Sequence, residues 1–244
     1  MREYLFLLHY AKGLQMYGFG VLDLLSILIS GACVYTIRQI ICHFLSLYAQ
    51  RYNTNLQVHK FTENGFYACF YVLLTTLELV LLGGNRWFWH WVESVEGMNH
   101  YEYHYHVKIL YIIQMGFYLQ AFILLFSETS RSRNDFKMMI FHHTATSVLL
   151  LSSFYLSRAA NYGCLVLFLH DISDIPLFAS KALNYYGRND LAVKGFSVFV
   201  VMFVVCRLIL FPFLIATLIL GAPLLNVRLG GYTHVYGSKI MIDF

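Results

Sequence analysis

Two neighbouring stretches decide the fold of this chain: FKMMIFHHTATSVLLLSSFYL at residues 136–156 and GCLVLFLHDISDIPLFASKALNYYG at residues 163–187. Each is apolar for long enough to cross a bilayer, whose hydrocarbon core takes roughly 20 helical residues. Each also holds ionisable side chains, the pair His142-His143 in the first and HDISD at 170–174 in the second. Such groups are costly within a membrane and normally mark a relay, a substrate pathway or an active site.

The composition extends this membrane character to the whole chain. Of 244 residues, 59% are hydrophobic and only 12% are charged, and the mean hydropathy is +0.59. These values differ strongly from those of an ordinary soluble domain. Long helices fit better than barrel strands, which alternate over about ten residues. The predicted fold class is an all-α, polytopic membrane protein with six transmembrane helices, near residues 19–44, 61–83, 107–127, 138–157, 162–183 and 196–220.

The distribution of lysine and arginine predicts the orientation, because cytosolic loops carry an excess of both. The loops after spans 2 and 4 hold only Arg86 and Arg158. The loops after spans 1, 3 and 5 are the more basic ones and are predicted to be cytosolic, which places residues 84–106 and both tails on the lumenal side. Their basic residues are Arg51, Lys60, Arg131, Arg133, Lys137, Arg188 and Lys194. The net charge of +4 therefore reflects topology, and no recognition motif predicts a nucleic-acid partner.

Spans 4 and 5 form a predicted helical hairpin whose turn centres near residues 158–159. His143 and Asp174 lie at nearly equal distances from that centre, so at about 1.5 Å per residue they reach the same depth. Asp171 lies one turn from Asp174 on the same helix face, as i and i+3 positions do. The hairpin is therefore predicted to bring two imidazoles and two carboxylates together.

This arrangement suits proton transfer. A carboxylate bonded to one ring nitrogen of a histidine fixes its tautomer and leaves the other nitrogen as a base or nucleophile. Two carboxylates in one apolar site are not expected to ionise easily together. The alternative is a polar network that only holds the helices together.

A metal site is the other alternative for the histidines. His142 and His143 point about 100° apart on a helix, so they do not easily chelate one ion. His100, His104 and His106 lie within HYEYHYH on the opposite side of the membrane. Metal binding there at i, i+4 spacing stays open, but alternation with tyrosines is more typical of an interfacial aromatic belt. No metal and no cofactor are predicted.

The two stretches resemble the Lag motif of ceramide synthases, within the TLC superfamily. The likeness covers roughly residues 20–220, and two histidines followed by HDxSD at this spacing are a specific combination. Flanking segments agree, namely KFTENGFYACFY (60–71), NRWFWHW (85–91), FYLQAFILLF (117–126) and CRLILFPF (206–213).

The resemblance implies an endoplasmic-reticulum enzyme that transfers a fatty acyl group from acyl-CoA to the amine of a sphingoid base. By likeness, His142 and His143 match the catalytic histidines, and Asp171 and Asp174 match the functional aspartates. Acyl-CoA is then a co-substrate, with the sphingoid base and membrane lipids as further partners, and assembly with its own copies or related subunits stays open. The alternative from another class is a non-catalytic TLC-type protein that binds or senses lipid or assists membrane-protein biogenesis.

Other residues are predicted near the substrates. Arg131, Arg133 and Lys137 border the cytosolic mouth of span 4, where they would meet the phosphates of coenzyme A; the alternative is the ordinary positive-inside excess. Arg207 in span 6 either lines the cavity or pairs with another helix. His170 is the third histidine on the cytosolic side.

The predicted domain plan has four parts. Residues 1–18 form a lumenal segment, 19–60 the first transmembrane helix and a cytosolic linker, 61–220 the TLC domain with the Lag motif at about 136–187, and 221–244 a tail. The tail is expected to be too polar to span, whereas ceramide synthases usually have a seventh span there that completes a ring of six around the site. Pro212 is expected to kink span 6, and Glu78 in span 2 to line the cavity or pair with another helix.

Overall fold

The computed structural model describes residues 16–17, 20–52, 57–91, 103–126, 136–155 and 160–220. The N-terminal segment up to residue 15, the tail 221–244 and the loops with His100, Arg131 and Arg133 lie outside the described residues. The helices are α1 (Val21–Tyr52), α2 (Val58–Leu82), the short α3 (Arg86–Trp89), α4 (Tyr105–Leu125), α5 (Phe136–Tyr155), α6 (Ala160–Tyr185) and α7 (Asn189–Phe203). The last span continues from α7 through a π-helical segment (Val204–Leu210) as far as Leu220. Two-residue strands, β1 (Met16–Tyr17) and β2 (Tyr103–His104), pair antiparallel.

The all-α, multi-pass membrane fold is confirmed. In the described ranges, five helices are long and apolar enough to cross a bilayer: Leu22–Arg51, Val58–Leu82, Tyr105–Leu125, Ala160–Tyr185 and Asn189–Leu220. The remaining predicted span forms α5, a helix of 20 residues. Its polar side chains make it less apolar than the others; they are Lys137, His142, His143, Thr144, Thr146, Ser147, Ser152 and Ser153.

The helices do not pack in chain order. α1 packs against both α2 and α4, α2 packs against α6, and α6 packs against the last span, while α5 packs against α4 and, less extensively, α6. Neighbours therefore follow the order α5, α4, α1, α2, α6, α7. This order places α5 and the last span at the two ends of the arc, with α6 in contact with both.

Aromatic side chains fill the space between α2, α4 and α6. The ring of Phe70 stacks on that of Phe117, with centroids 4.6 Å apart, and the ring of Tyr71 stacks on that of Phe178 at 5.5 Å. Aromatic pairs in these geometries add to the free energy gained from burial. This packing holds α2, α4 and α6 together, and these three helices carry most of the buried polar groups.

The contact between α1 and α4 depends on small residues and on one buried ion pair. A Cβ atom added to Gly116 would lie 2.7 Å from the backbone nitrogen of Gly31, so only glycine permits this approach. Such small-residue contacts are typical of helix interfaces in membranes. Towards one end of the same seam, Lys108 Nζ lies 2.9 Å from Asp23 Oδ2, and Asp23 also accepts a bond from the Gly20 amide.

A tight turn reverses the chain between α6 and α7. Gly187 has a φ of 87°, which glycine adopts at little cost. The Gly187 amide donates to the Asn184 carbonyl and the Arg188 amide to the Leu183 carbonyl, the pattern of a Schellman motif. Since only a few residues separate the helices, the last span is held antiparallel against α6.

The helical irregularity expected at Pro212 takes the form of the π-helical segment that precedes it. Proline has no amide hydrogen, and its ring crowds the carbonyl four residues earlier. Here the Phe211 amide donates to the carbonyl of Cys206, five residues back, as in a π-helix. Arg207 lies inside this segment.

Candidate active site

Asp174 and Arg207 form an ion pair between α6 and the last span. Arg207 Nη2 lies 2.5 Å from Asp174 Oδ1. The same guanidinium donates from Nε to Ser173 Oγ at 2.9 Å and from Nη2 to the carbonyl of His170 at 3.2 Å. The sequence left two roles open for Arg207, lining the cavity or pairing with another helix. In the structure it pairs with another helix.

Asp171 has a different set of partners, although it lies one turn from Asp174. Its Oδ2 accepts a hydrogen bond from Gln114 Nε2 on α4. Gln114 Nε2 also donates, at 3.4 Å, to Glu78 Oε1 on α2. All three side chains are buried, so three helices meet through one amide and two carboxyl groups. Glu78, like Arg207, pairs with another helix.

His170 is held by its own helix. Its Nδ1 lies 2.7 Å from the carbonyl oxygen of Val166. Because a carbonyl oxygen can only accept, Nδ1 carries the hydrogen and Nε2 is the ring nitrogen left with a lone pair. The ring of Phe211 meets the imidazole edge-on, with centroids 5.1 Å apart.

The rings of the adjacent histidines of α5 lie against each other, with centroids 5.6 Å apart and ring planes at 70°, and do not diverge as expected from the helical geometry. His142 is exposed and His143 is half-buried. The His143 ring meets that of Tyr118 edge-on, at a centroid distance of 6.3 Å, and its buried Nδ1 has no hydrogen-bond partner among the described residues. His142 lies within electrostatic range of both His170 and Asp174.

The structure therefore brings the predicted groups to one region but does not bond them as expected. Within the described ranges, neither His142 nor His143 forms a hydrogen bond with Asp171 or Asp174. The carboxylates bond instead to Gln114 and Arg207. A guanidinium is always charged and matches a carboxylate in geometry, which makes it a stronger partner than an imidazole.

The basic residues predicted at the mouth of α5 are only partly described. Lys137 lies in the first turn of α5 with an exposed side chain. Arg131 and Arg133 lie outside the described residues. Their role towards coenzyme A stays a prediction.

Sequence reasoning missed Gln114 and Tyr118 on α4. Tyr118 is buried and lies within electrostatic range of Asp171, Asp174 and Arg207. Gln114 bonds directly to Asp171. A glutamine inside an otherwise apolar span is itself a signal, since such side chains usually bond across helices.

An apolar cavity lies beside the polar groups. It has a volume of about 200 Å³. On α6 its lining begins with Leu169, directly before His170, and on the last span it includes Leu210, three residues after Arg207. The other lining residues are Phe88, Trp89, Trp91, Leu165 and Phe168. The lining of the cavity is thus apolar and suited to hydrocarbon.

Comparison with known proteins assigns the chain to a family. The family model of the TLC domain matches residues 60–241. The chain is 34% identical over 184 residues to ceramide synthase 3 of Mus musculus, covering 72% of this chain and 45% of that protein. It is 33% identical over 163 residues to ceramide synthase 1 LOH3 of Arabidopsis thaliana, covering 64% and 52%.

The chain is also similar to a human protein. Ceramide synthase 5 of Homo sapiens is 32% identical over 160 residues, which cover 63% of this chain and 38% of that protein. The chain spans about half the length, or less, of these curated relatives. Because the family model matches well over half of the residues, the chain belongs to the TLC domain family, and the relatives named here are ceramide synthases.

Proposed function

We propose that this protein is a ceramide-synthase-like N-acyltransferase. It transfers the acyl group of a fatty acyl-CoA to the amine of a sphingoid base, in the membrane of the endoplasmic reticulum. The observation that carries the proposal is the bonding of Arg207 to Asp174 and to the carbonyl of His170, next to Leu169 and Leu210 of an apolar cavity, with His142 within electrostatic range of Asp174, in a chain whose relatives are ceramide synthases.

The reaction forms one C–N bond and breaks one C–S bond. The substrate ammonium must first lose a proton, and the departing thiolate of coenzyme A must gain one. A histidine with a free ring nitrogen performs both transfers without net consumption. His142 is the preferred base, since it is accessible and lies near Asp174.

Two routes fit these groups. In the first, His142 takes the proton from the amine, which attacks the thioester directly. In the second, His142 attacks the thioester and forms an acyl-imidazole, which the amine then opens. In both routes the Asp174–Arg207 pair acts on His142 through the field of the carboxylate, not through a direct bond.

The substrates divide between the polar and apolar parts of the site. The hydrocarbon chain of the acyl group would lie in the cavity beside Leu169 and Leu210, where burial of methylene groups is favourable. The phosphates of coenzyme A stay at the cytosolic mouth of α5, where Lys137 is exposed. Arg131 and Arg133 are assigned to the same mouth from the sequence alone.

The proposal is tested by assaying membranes that contain the protein for amide formation from a fatty acyl-CoA and a sphingoid base, with the product resolved by mass. His142→Ala is expected to lower kcat by about 100-fold or more, as removal of a general base does. Asp174→Asn is expected to lower kcat by about tenfold or more. The amount of folded protein at the assay temperature is measured for each variant as the control, because Asp174→Asn leaves Arg207 without its partner and should unfold more easily than the parent.

Two outcomes would count against the enzyme. A parent protein that forms no amide from any chain length of acyl-CoA would favour a non-catalytic lipid-binding protein. Variants as active as the parent would show that the reaction does not use these side chains.

A further inference from the structure

We infer that Gln114, held in place by Glu78, is a positioning residue for Asp171. The inference rests on the proposed function and deepens it, because it adds two residues from α2 and α4 that act on the site through Asp171. Neither is one of the residues that the sequence pattern placed in the catalytic group.

The three side chains form a continuous buried chain across three helices. Their exposed fractions are 1% for Glu78, 0% for Gln114 and 1% for Asp171. Gln114 Nε2 donates to both Asp171 Oδ2 and Glu78 Oε1. Water does not compete for these bonds at such burial, so they hold the side chains in one arrangement.

The donors and acceptors determine the orientation of the Gln114 amide. A glutamine amide has two N–H hydrogens, and an ionised carboxylate can only accept. Glu78 on one side and Asp171 on the other therefore take both hydrogens. Two carboxyl groups in one apolar site favour a proton on one of them, and the reversed amide would still place its oxygen against the other, ionised one. Gln114 Oε1, Glu78 Oε2 and Asp171 Oδ1 have no hydrogen-bond partner among the described residues. Asp171 is thus held through one oxygen, with the other oxygen free.

This cluster costs more than helix packing alone requires. Two buried carboxyl groups share one neutral amide, and within the described ranges neither is bonded to a cation. Apolar side chains of similar volume usually stabilise a buried contact as well as ionisable ones, or better. The buried cluster of Glu78, Gln114 and Asp171 is therefore better explained as a means of positioning Asp171 than as a means of stabilising the fold.

The chain offers a matched comparison on the same helix. Gln120 lies on α4, is 4% exposed, and has no hydrogen-bond partner for either amide atom among the described residues. Gln114→Leu and Gln120→Leu therefore remove the same amide from the same helix at similar burial. They differ in the contact with Asp171.

The experiment measures kcat and KM for acyl-CoA and for the sphingoid base with the full protein in membranes. Gln114→Leu is expected to lower kcat by about tenfold or more and to leave both KM values within about twofold, because it removes a fixed bond to the Asp171 carboxyl group and no substrate contact. Gln120→Leu is expected to keep kcat within about twofold. Thermal unfolding of each variant shows whether a change in kcat follows a loss of folded protein.

Glu78→Gln gives an independent measurement. It keeps an acceptor for Gln114 but also offers a donor, so the orientation of the Gln114 amide is then fixed from the Asp171 side alone. A smaller decrease in kcat, of about two- to fivefold, is expected, with no change in KM. This conservative change keeps the side-chain volume, so it remains informative where Gln114→Leu fails to fold.

The outcomes separate this inference from the proposed function. A parent that forms no amide overturns both. An active parent whose Gln114→Leu and Glu78→Gln variants keep its kcat overturns the positioning role alone. An equal loss of kcat in Gln114→Leu and Gln120→Leu, or a loss confined to KM, also overturns it.

Discussion

Arg207 joins the last span to α6 through three partners on a single helix face. Its guanidinium bonds to Asp174, Ser173 and the carbonyl of His170. It also lies over the ring of Phe203, at 5.5 Å from the centroid. A lysine could not reproduce this set, because it presents one compact charge and not a planar fork of donors.

Removing the charge of Arg207 alone should lower the free energy of unfolding more than removing both charges of the pair. Arg207→Met leaves the half-buried Asp174 without its partner, and breaking a buried pair in this way costs about 3–5 kcal/mol. The double variant Arg207→Met, Asp174→Asn should recover most of that loss, since no charge is left uncompensated. Thermal unfolding in detergent micelles measures both. A single variant as stable as the parent would contradict the structural importance of the pair.

The sequence predicts these residues better than it predicts their bonds. The spacing of Asp171 and Asp174 alone predicts that they share a helix face. The distance of His143 from the hairpin turn predicts that it lies at their depth. The partners Gln114 and Arg207 come from α4 and the last span, and sequence spacing cannot show which distant helix packs against α6. The expected imidazole–carboxylate bond was wrong for the described residues because both carboxylates bond to those helices instead.

At the scale of elements, the close contact of α1 with α4 depends on Gly116. A Cβ atom at this position would lie 2.5 Å from Ser30 Oγ and 2.7 Å from the Gly31 backbone nitrogen. One of these neighbours is backbone and cannot rotate away, so the helices themselves would have to separate.

Gly116→Ala is therefore expected to lower the melting temperature by roughly 2–12 °C, from an overpacking cost of about 1–3 kcal/mol. Gly84→Ala is the matched control, because nothing lies within 4 Å of a Cβ atom there. Its melting temperature should stay within about 1 °C of the parent. Melting curves of the two variants in the same detergent test the contact, and equal values would contradict it.

The helix boundaries could be predicted closely because apolar length determines them. The spans expected near 61–83 and 107–127 are Val58–Leu82 and Tyr105–Leu125 in the structure. α1 is longer than expected and ends at Tyr52, with an apolar span that extends to Arg51. The kink expected at Pro212 appears as a π-helical segment, a hydrogen-bond pattern that the presence of proline does not specify.

For the whole molecule, the helix order could not be predicted from the sequence. Consecutive helices often lie next to each other, yet α1 packs between α2 and α4, and α2 packs on α6. Glu78, Gln114 and Asp171 bond to one another only when α2, α4 and α6 meet, so their bonds favour that part of the order. Their contacts are long-range in the chain and leave no local pattern.

The orientation in the membrane remains a prediction from lysine and arginine, and it has a direct test. The sequence contains no Asn-x-Ser/Thr acceptor for N-glycosylation. A flexible insert carrying one acceptor after Glu96 should be glycosylated, because residues 84–106 are predicted to be lumenal. The same insert after Arg131 should stay unmodified. Sensitivity of the gel mobility to endoglycosidase H reports the result, and the reverse pattern would invert the topology.

The π-helical segment Val204–Leu210 also affects where the last span can lose a single residue during evolution. A π-turn holds one more residue than an α-turn, so its hydrogen-bonding frame can absorb the loss of a single codon by reverting to the α-helical pattern. A codon lost elsewhere in a span rotates all that follows by about 100° relative to its neighbours. Within the last span, a one-residue deletion is therefore best tolerated in this segment, because the helix that follows as far as Leu220 keeps its orientation. Arg207 itself must keep its position.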